Sequence, residues 1–123
     1  MLGARIAAPF NRKISLFVSG RRGLLSRLEK EIKGDDPIIW FHCPSVGEFA
    51  QARPVIERYR KRGGNEKILL TFFSPSGYEL RKNYPLADWV FYLPMDSPRN
   101  ASRFLDIVKP QMAIFAKYDY WYH

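Results

Sequence analysis

One cysteine, Cys43, and two histidines are all the soft-ligand chemistry available to this chain of 123 residues. A lone cysteine closes no internal disulfide, and no CxxC pair or His/Cys spacing suited to structural zinc accompanies it. No metal site is expected, and the cysteine usage favours a reducing, cytoplasmic compartment. Long apolar runs are also missing. Nothing approaches the ~20 residues needed to span a bilayer. Leu2 to Phe10 is short and carries Arg5, so it reads as the tail of an anchor rather than an anchor, and no cleavage site of a signal peptide follows it. There is no GxGxxG after the first apolar run, no GxxxxGK[ST], no GxSxG and no HExxH, which removes the main support for dinucleotide, P-loop, serine-hydrolase and zincin chemistry. Aromatic residues are not interleaved with basic ones as in an RNA-recognition sheet, so no nucleic-acid partner is expected. Internal repeats and low-complexity tracts are absent too.

Acidic residues are scarce at one end. Residues 1–33 hold Arg5, Arg12, Lys13, Arg21, Arg22, Arg27, Lys30 and Lys33 against Glu29 and Glu31, a balance of +6 within a total of +8. Such a block either attracts anionic lipid headgroups, nucleic acid or a phosphorylated substrate, which long-range attraction does not distinguish, or is simply a solvated basic face. An apolar content of 46% with 26% charged residues is that of a folded domain. A chain of this length buries about two-thirds of its unfolded surface around one small core.

Residues 14–33 set Ile14, Leu16, Phe17, Leu24, Leu25, Leu28 and Ile32 among basic residues. With Gly20 and Gly23 breaking the run, the pattern is that of two short amphipathic helices or one kinked helix. Residues 1–33 read as a basic amphipathic helical segment, and 34–123 as a partial Rossmann-like domain that opens at the turn Gly34-Asp35-Asp36-Pro37. A rhythm then sets in of apolar run, turn and helical stretch. The runs Ile38 to Cys43, Ile68 to Phe73, Trp89 to Leu93 and Met112 to Ala116 are nearly continuous in apolar character, as in parallel strands buried on both faces. Between them lie helix-length stretches over 48–62, 76–83 and 97–108. Ser45, Ser74-Pro75-Ser76 and Asp96-Ser97-Pro98 signal helix starts, and Gly63-Gly64-Asn65 closes the first stretch. Strands alternating with helices make a doubly wound α/β domain, a Rossmann-like parallel sheet with flanking helices.

Ligands of such sheets bind outside the carboxyl ends of the strands. Four segments become candidates: Cys43 to Glu48, Ser74 to Gly77, Pro94 to Asn100 and Lys117 to Asp119. The first joins Gly47, which permits close backbone approach, to Glu48, a carboxylate opening a helix. That carboxylate is either a general base for a hydroxyl held in the cleft or a helix-start acid complementing the dipole. Ser74, Ser76 and Gly77 form an amide-rich helix start that suits an anion or serves as a simple cap. Asp119 beside Lys117 is open to catalytic or salt-bridged structural readings. His42 reads as a satisfied residue in or near the core. The aromatic residues Tyr118, Tyr120, Trp121 and Tyr122 either stack on a sugar or pack.

Trp40-Phe41-His42-Cys43-Pro44-Ser45-Val46-Gly47-Glu48-Phe49, followed by Gln51-Ala52-Arg53-Pro54, resembles the signature of bacterial 3-deoxy-D-manno-octulosonate (Kdo) transferases. The segments Leu70 to Tyr78, Tyr92 to Asp96 and Phe115 to Trp121 resemble that family in the same order, and the likeness runs from about Ala7 to the carboxyl end. It implies the amino-terminal, acceptor-binding lobe of a metal-independent GT-B glycosyltransferase with no cofactor, which moves Kdo from CMP-Kdo to a lipid A precursor with inversion. It further implies Glu48 as general base and Asp119 as a second catalytic acid, although the family usually has glutamate at that position. Pro44 also stands where a small residue is commoner. Ser45, Gly47, Arg53, Ser74, Ser76, Gly77 and Lys117 fall on substrate-binding segments. The resemblance implies a setting on the cytoplasmic face of the bacterial inner membrane, against its anionic surface. The lobe that mainly holds CMP-Kdo lies outside this sequence, so the chain is expected to be a fragment incapable of transfer alone. Two other readings are a different GT-B sugar transferase and a non-enzymic basic α/β module that docks on anionic membrane or nucleic acid.

Overall fold

The computed structural model describes residues 12, 14–16, 18–33, 36–95 and 97–117. In chain order its elements are α1 (Leu24–Glu31), β1 (Ile38–Cys43), α2 (Val46–Lys61), β2 (Lys67–Phe72), α3 (Pro75–Arg81), β3 (Trp89–Tyr92), α4 (Pro98–Val108) and β4 (Met112–Phe115). The four strands form one sheet in the order β3-β2-β1-β4. Every pairing is parallel, with Ile38 opposite Lys67, Ile39 opposite Met112, and Leu69 opposite Trp89. This bears out the α/β class and the parallel sheet.

Side chains alternate across the pleat, so the sheet has two apolar faces to cover. Ile38, Trp40 and Leu69 pack with Leu24 and Leu28 of α1 and with Phe104 and Val108 of α4. Phe41, Cys43, Ile68, Leu70 and Phe72 pack with Phe49, Ala52 and Ile56 of α2. Leu24 and Leu28 stand one helical turn apart, and Ile32 extends the same stripe past the helix end. The result is a layer of helices on each side of the sheet, the doubly wound arrangement expected.

Serines start the helices as anticipated. Ser45, Ser74 and Ser97 are the N-caps of α2, α3 and α4. The Ser74 and Ser97 hydroxyls accept from the amides of Gly77 and Asn100 at 3.2 and 3.1 Å. Past the end of α2, Gly63 takes a φ of 85°, a left-handed turn that favours glycine. The glycines of the basic segment differ in role. Gly23 breaks the helix with a φ of 65°. Gly20 is itself helical and allows close packing, since a Cβ there would lie 2.2 Å from the Tyr92 ring.

The edge strands depart from the expectation of burial on both faces. β1 and β2 are mostly buried, but Met112 and Phe115 of β4 are 56% and 59% exposed. Apolar character marks a strand as capable of burial, whereas its place in the sheet decides how much cover it receives. Among the described residues β4 pairs with β1 alone, and one edge stays open. The described ends also shift by a residue or two from those expected: β2 begins at Lys67, α2 at Val46 and α3 at Pro75.

Candidate active site at the carboxyl ends of the strands

The order β3-β2-β1-β4 reverses direction between β1 and β4. The connection leaving β1 passes through α2 on one face, and the connection entering β4 comes through α4 on the other. A crevice opens at such a switch point, beyond the carboxyl ends of the two strands. The segment 44–48 borders it from β1, and Ala116 and Lys117 border it from β4, anchored by the Ala116 amide donating to the His42 carbonyl at 2.9 Å. The Ser74 amide donates to the Pro44 carbonyl at 2.9 Å. That bond ties the loop after β2 to the loop after β1.

Glu48 occupies the third position of α2 and forms a capping box with Ser45. Its Oε2 accepts from the Ser45 amide at 3.0 Å and, in a very short contact, from the Ser45 hydroxyl. Oε1 lies outside both bonds. The Ser45 hydroxyl, before any other influence, holds the carboxyl below its ordinary pKa, against a smaller opposing push from burial. The carboxylate is thus ionised at neutral pH and able to accept a proton. Structurally Glu48 is a helix-start acid, with Oε1 outside that task. Gly47 is exposed, and a Cβ there would meet only the Ser45 hydroxyl oxygen, at 3.7 Å. The fold itself does not demand a glycine there.

Gly77, by contrast, is buried under Phe72, whose ring a Cβ would approach to 2.7 Å. Ser74 spends its hydroxyl on the Gly77 amide and lies 3.3 Å from that of Ser76. Arg53 stands eight residues beyond Ser45, about 12 Å along the helix at 1.5 Å per residue. It is half-exposed and pairs with Glu57 at 3.7 Å. Lys117 is exposed just past β4. Asp119, Tyr118, Tyr120, Trp121 and Tyr122 lie outside the described residues, as does Asp96. Among the described residues no group of His, Cys, Asp and Glu is placed to hold a metal ion.

Arg21, Trp40, His42 and Thr71 belong to the site's surroundings without having been marked as such in the sequence. Arg21, just ahead of α1, donates from Nη2 to the Phe73 carbonyl at 2.7 Å. Its guanidinium lies 5.0 Å from the Phe73 ring centre and 4.9 Å from that of Tyr92. A permanent cation is thereby fixed over the ends of β2 and β3. Thr71, fully buried in β2, accepts from Trp40 Nε1 at 2.8 Å and bonds His42 Nδ1 at 2.8 Å. Burial, before any other influence, lowers the His42 pKa; the Thr71 backbone and Glu48 push it up, and Arg21 pushes it down, each by less. Strand alternation marks Trp40, His42 and Thr71 for one face of the sheet, but the strand pairing that joins them leaves no mark in a linear pattern. Next to them an apolar cavity of about 630 Å³ is walled by Trp40, Phe73, Leu93, Phe104, Ala113 and Phe115. Another hollow, of about 590 Å³, lies among Arg58, Tyr59, Arg62 and Gly64, at the far end of the sheet and away from Glu48.

A family model described as 3-deoxy-D-manno-octulosonic-acid transferase (kdotransferase) matches residues 18–123. The 3-deoxy-D-manno-octulosonic acid transferase of Chlamydia muridarum is 33% identical over 95 residues, which is 76% of this chain and 22% of that protein. The enzyme of the same description from Aquifex aeolicus is 30% identical over 94 residues, or 76% of this chain and 26% of that protein. The Haemophilus influenzae protein is 34% identical over 85 residues, covering 68% and 20% respectively. The chain therefore spans between a fifth and about a quarter of the length of these relatives. No solved structure matches it.

Proposed function

The chain belongs to the 3-deoxy-D-manno-octulosonic-acid (Kdo) transferase family, and from that premise we propose that it serves the transfer of Kdo from CMP-Kdo to a lipid A precursor, with inversion and with Glu48 as general base. The observation that carries this reading is the placement of Glu48 at the switch-point crevice, ionised and with Oε1 outside its capping box. In the step proposed, the acceptor hydroxyl oxygen attacks the anomeric carbon, the bond from that carbon to the CMP phosphate oxygen breaks, and CMP leaves with the electron pair. The hydroxyl proton passes to Glu48 as the new bond forms. The space above Gly47 suits a sugar at the helix start.

An amphiphilic, anionic acceptor fits the surroundings. The Arg21 guanidinium attracts phosphate, and the apolar cavity beside Trp40 and Phe115 suits an acyl chain. Ser45, Gly47, Ser74, Ser76, Gly77 and Lys117 contribute to acceptor binding in this reading, with Arg53 at its periphery and Asp119 as a second carboxylate. In this reading the basic side chains of residues 1–33 meet the anionic cytoplasmic face of the inner membrane while α1 packs its apolar stripe into the acceptor-binding lobe, and the donor is held by a further lobe. Among the described residues no helix is long and apolar enough to cross a membrane. The test is incubation of the full-length protein with labelled CMP-Kdo and lipid A precursor. Transfer with inverted anomeric configuration supports the proposal, and retention of configuration or absence of transfer overturns it.

A further inference from the structure

His42 has more fixed about it than packing requires. Trp40 Nε1 can only donate, so Thr71 Oγ1 accepts from it, across 2.8 Å. The Thr71 hydroxyl proton then needs an acceptor, and Thr71 is fully buried. Its other bond partner is His42 Nδ1, at 2.8 Å. Were Nδ1 protonated and donating, Oγ1 would accept twice and its own proton would be stranded in the core. Nδ1 is therefore the acceptor, and the ring's proton sits on Nε2. Burial disfavours a second proton on the ring.

Nε2 forms no bond among the described residues, nor does it fall among their sealed, unpartnered polar atoms. A donor of fixed tautomer is thus left accessible at the penultimate residue of β1. The ring stands near enough to Glu48 and Arg21 for their charges to bear on its ionisation, and it meets Phe115 edge-on at 6.0 Å between centres. Three elements bring a base, a cation and a neutral donor to one end of the sheet.

We propose that His42 is an acceptor-binding residue whose Nε2–H donates to an oxygen of the acceptor's sugar headgroup, next to the hydroxyl received by Glu48, with Trp40 and Thr71 as positioning residues that set the tautomer. This assignment rests on the Kdo-transferase reading and deepens it. The imidazole takes no proton in the reaction. It orients the sugar.

Two measurements on the full-length protein test the assignment. Nitrogen-15 spectroscopy of the imidazole at neutral pH is expected to show the neutral Nε2–H form in the parent and loss of that single tautomer in Thr71→Val. Equilibrium binding of lipid A precursor without donor is expected to weaken about fivefold to tenfold in His42→Ala, the worth of one neutral hydrogen bond. His42→Gln, which keeps an N–H at similar reach, restores most of the affinity. An Nδ1–H ring, an imidazolium at neutral pH, equal losses in His42→Gln and His42→Ala, or a loss confined to turnover would each overturn the proposal. A parent that binds the precursor but transfers no Kdo defeats the enzymatic reading while leaving the His42 binding test intact. A parent that does not bind it defeats both.

Discussion

Replacing Glu48 with glutamine separates the two tasks that the carboxylate performs. In the capping box, Oε2 receives the Ser45 amide and hydroxyl. Glutamine at the same position offers an oxygen of similar reach, and capping boxes accept it. What disappears is the charge. Its interaction with the helix dipole is worth about 0.3–1 kcal/mol, so the variant should stay folded with a melting temperature only a few degrees lower. As a general base, the residue contributes about 10²–10⁴-fold to turnover, equivalent to ~2.7–5.5 kcal/mol of barrier. The catalytic loss should therefore exceed the stability loss several times over. Ser45→Ala is the control: it removes the cap, costs roughly 1 kcal/mol of stability, and retains the carboxylate. Because the Glu48 pKa lies below its ordinary value of 4.5, the acid limb of the rate profile should also fall below that pH. The sign for stability is the same, since a depressed carboxyl pKa favours the fold above the unfolded pKa and that contribution is lost as pH falls through the folded value. Turnover, acceptor affinity and melting temperature of the full-length variants decide the matter. Near-parental turnover in a folded Glu48→Gln protein would refute the reasoning and move the base to Asp119 or another group.

Asp88 binds the Ile68 amide at 2.7 Å and Arg60 Nη2 at 2.9 Å from a single oxygen; Asp88→Ala should lower stability by about 1–3 kcal/mol, read from a denaturant midpoint, and an unchanged midpoint would dismiss the cluster as ornamental. Burial pushes the Cys43 thiol pKa up to about 12, so Cys43 should resist thiol reagents at pH 8 until the protein is unfolded by denaturant; prompt labelling of the native protein would contradict the buried placement. The same raised pKa favours the fold below the unfolded thiol value, and stability should decline as pH rises from about 9 towards 12. The basic segment should bind anionic liposomes, with about 1 kcal/mol from each cation near the surface; binding should weaken with salt and with Arg22→Glu and Lys30→Glu together, and indifference to both would rule out the electrostatic dock.

Much of the scaffold was legible because it depends on neighbours in the chain. The β1 run Ile38 to Cys43 coincides with its strand, and the caps at Ser45, Ser74 and Ser97 start helices where a short oxygen-bearing side chain can reach amides three residues on. Gly63 ends α2 through a left-handed turn that side chains disfavour. The segments 40–49, 51–54, 70–78, 92–96 and 115–121 likewise carried the family resemblance, each within a short stretch of chain.

What tertiary structure alone decided is everything that depends on strand order and pairing. Apolar runs give no rank within a sheet, so nothing in Met112 to Phe115 announced an edge position with exposed side chains. Nor does sequence place the reversal between β1 and β4, which makes a crevice of the loop holding Glu48. His42 looked like a residue content in the core. Its tautomer is set by Thr71, which lies 29 positions away in sequence and is brought alongside when β1 and β2 pair. Arg21 reaches the ends of β2 and β3 through a fold contact across 52 positions. Local propensity acts over a turn of chain, whereas hydrogen bonds and stacking of this kind exist only once burial has brought distant segments together.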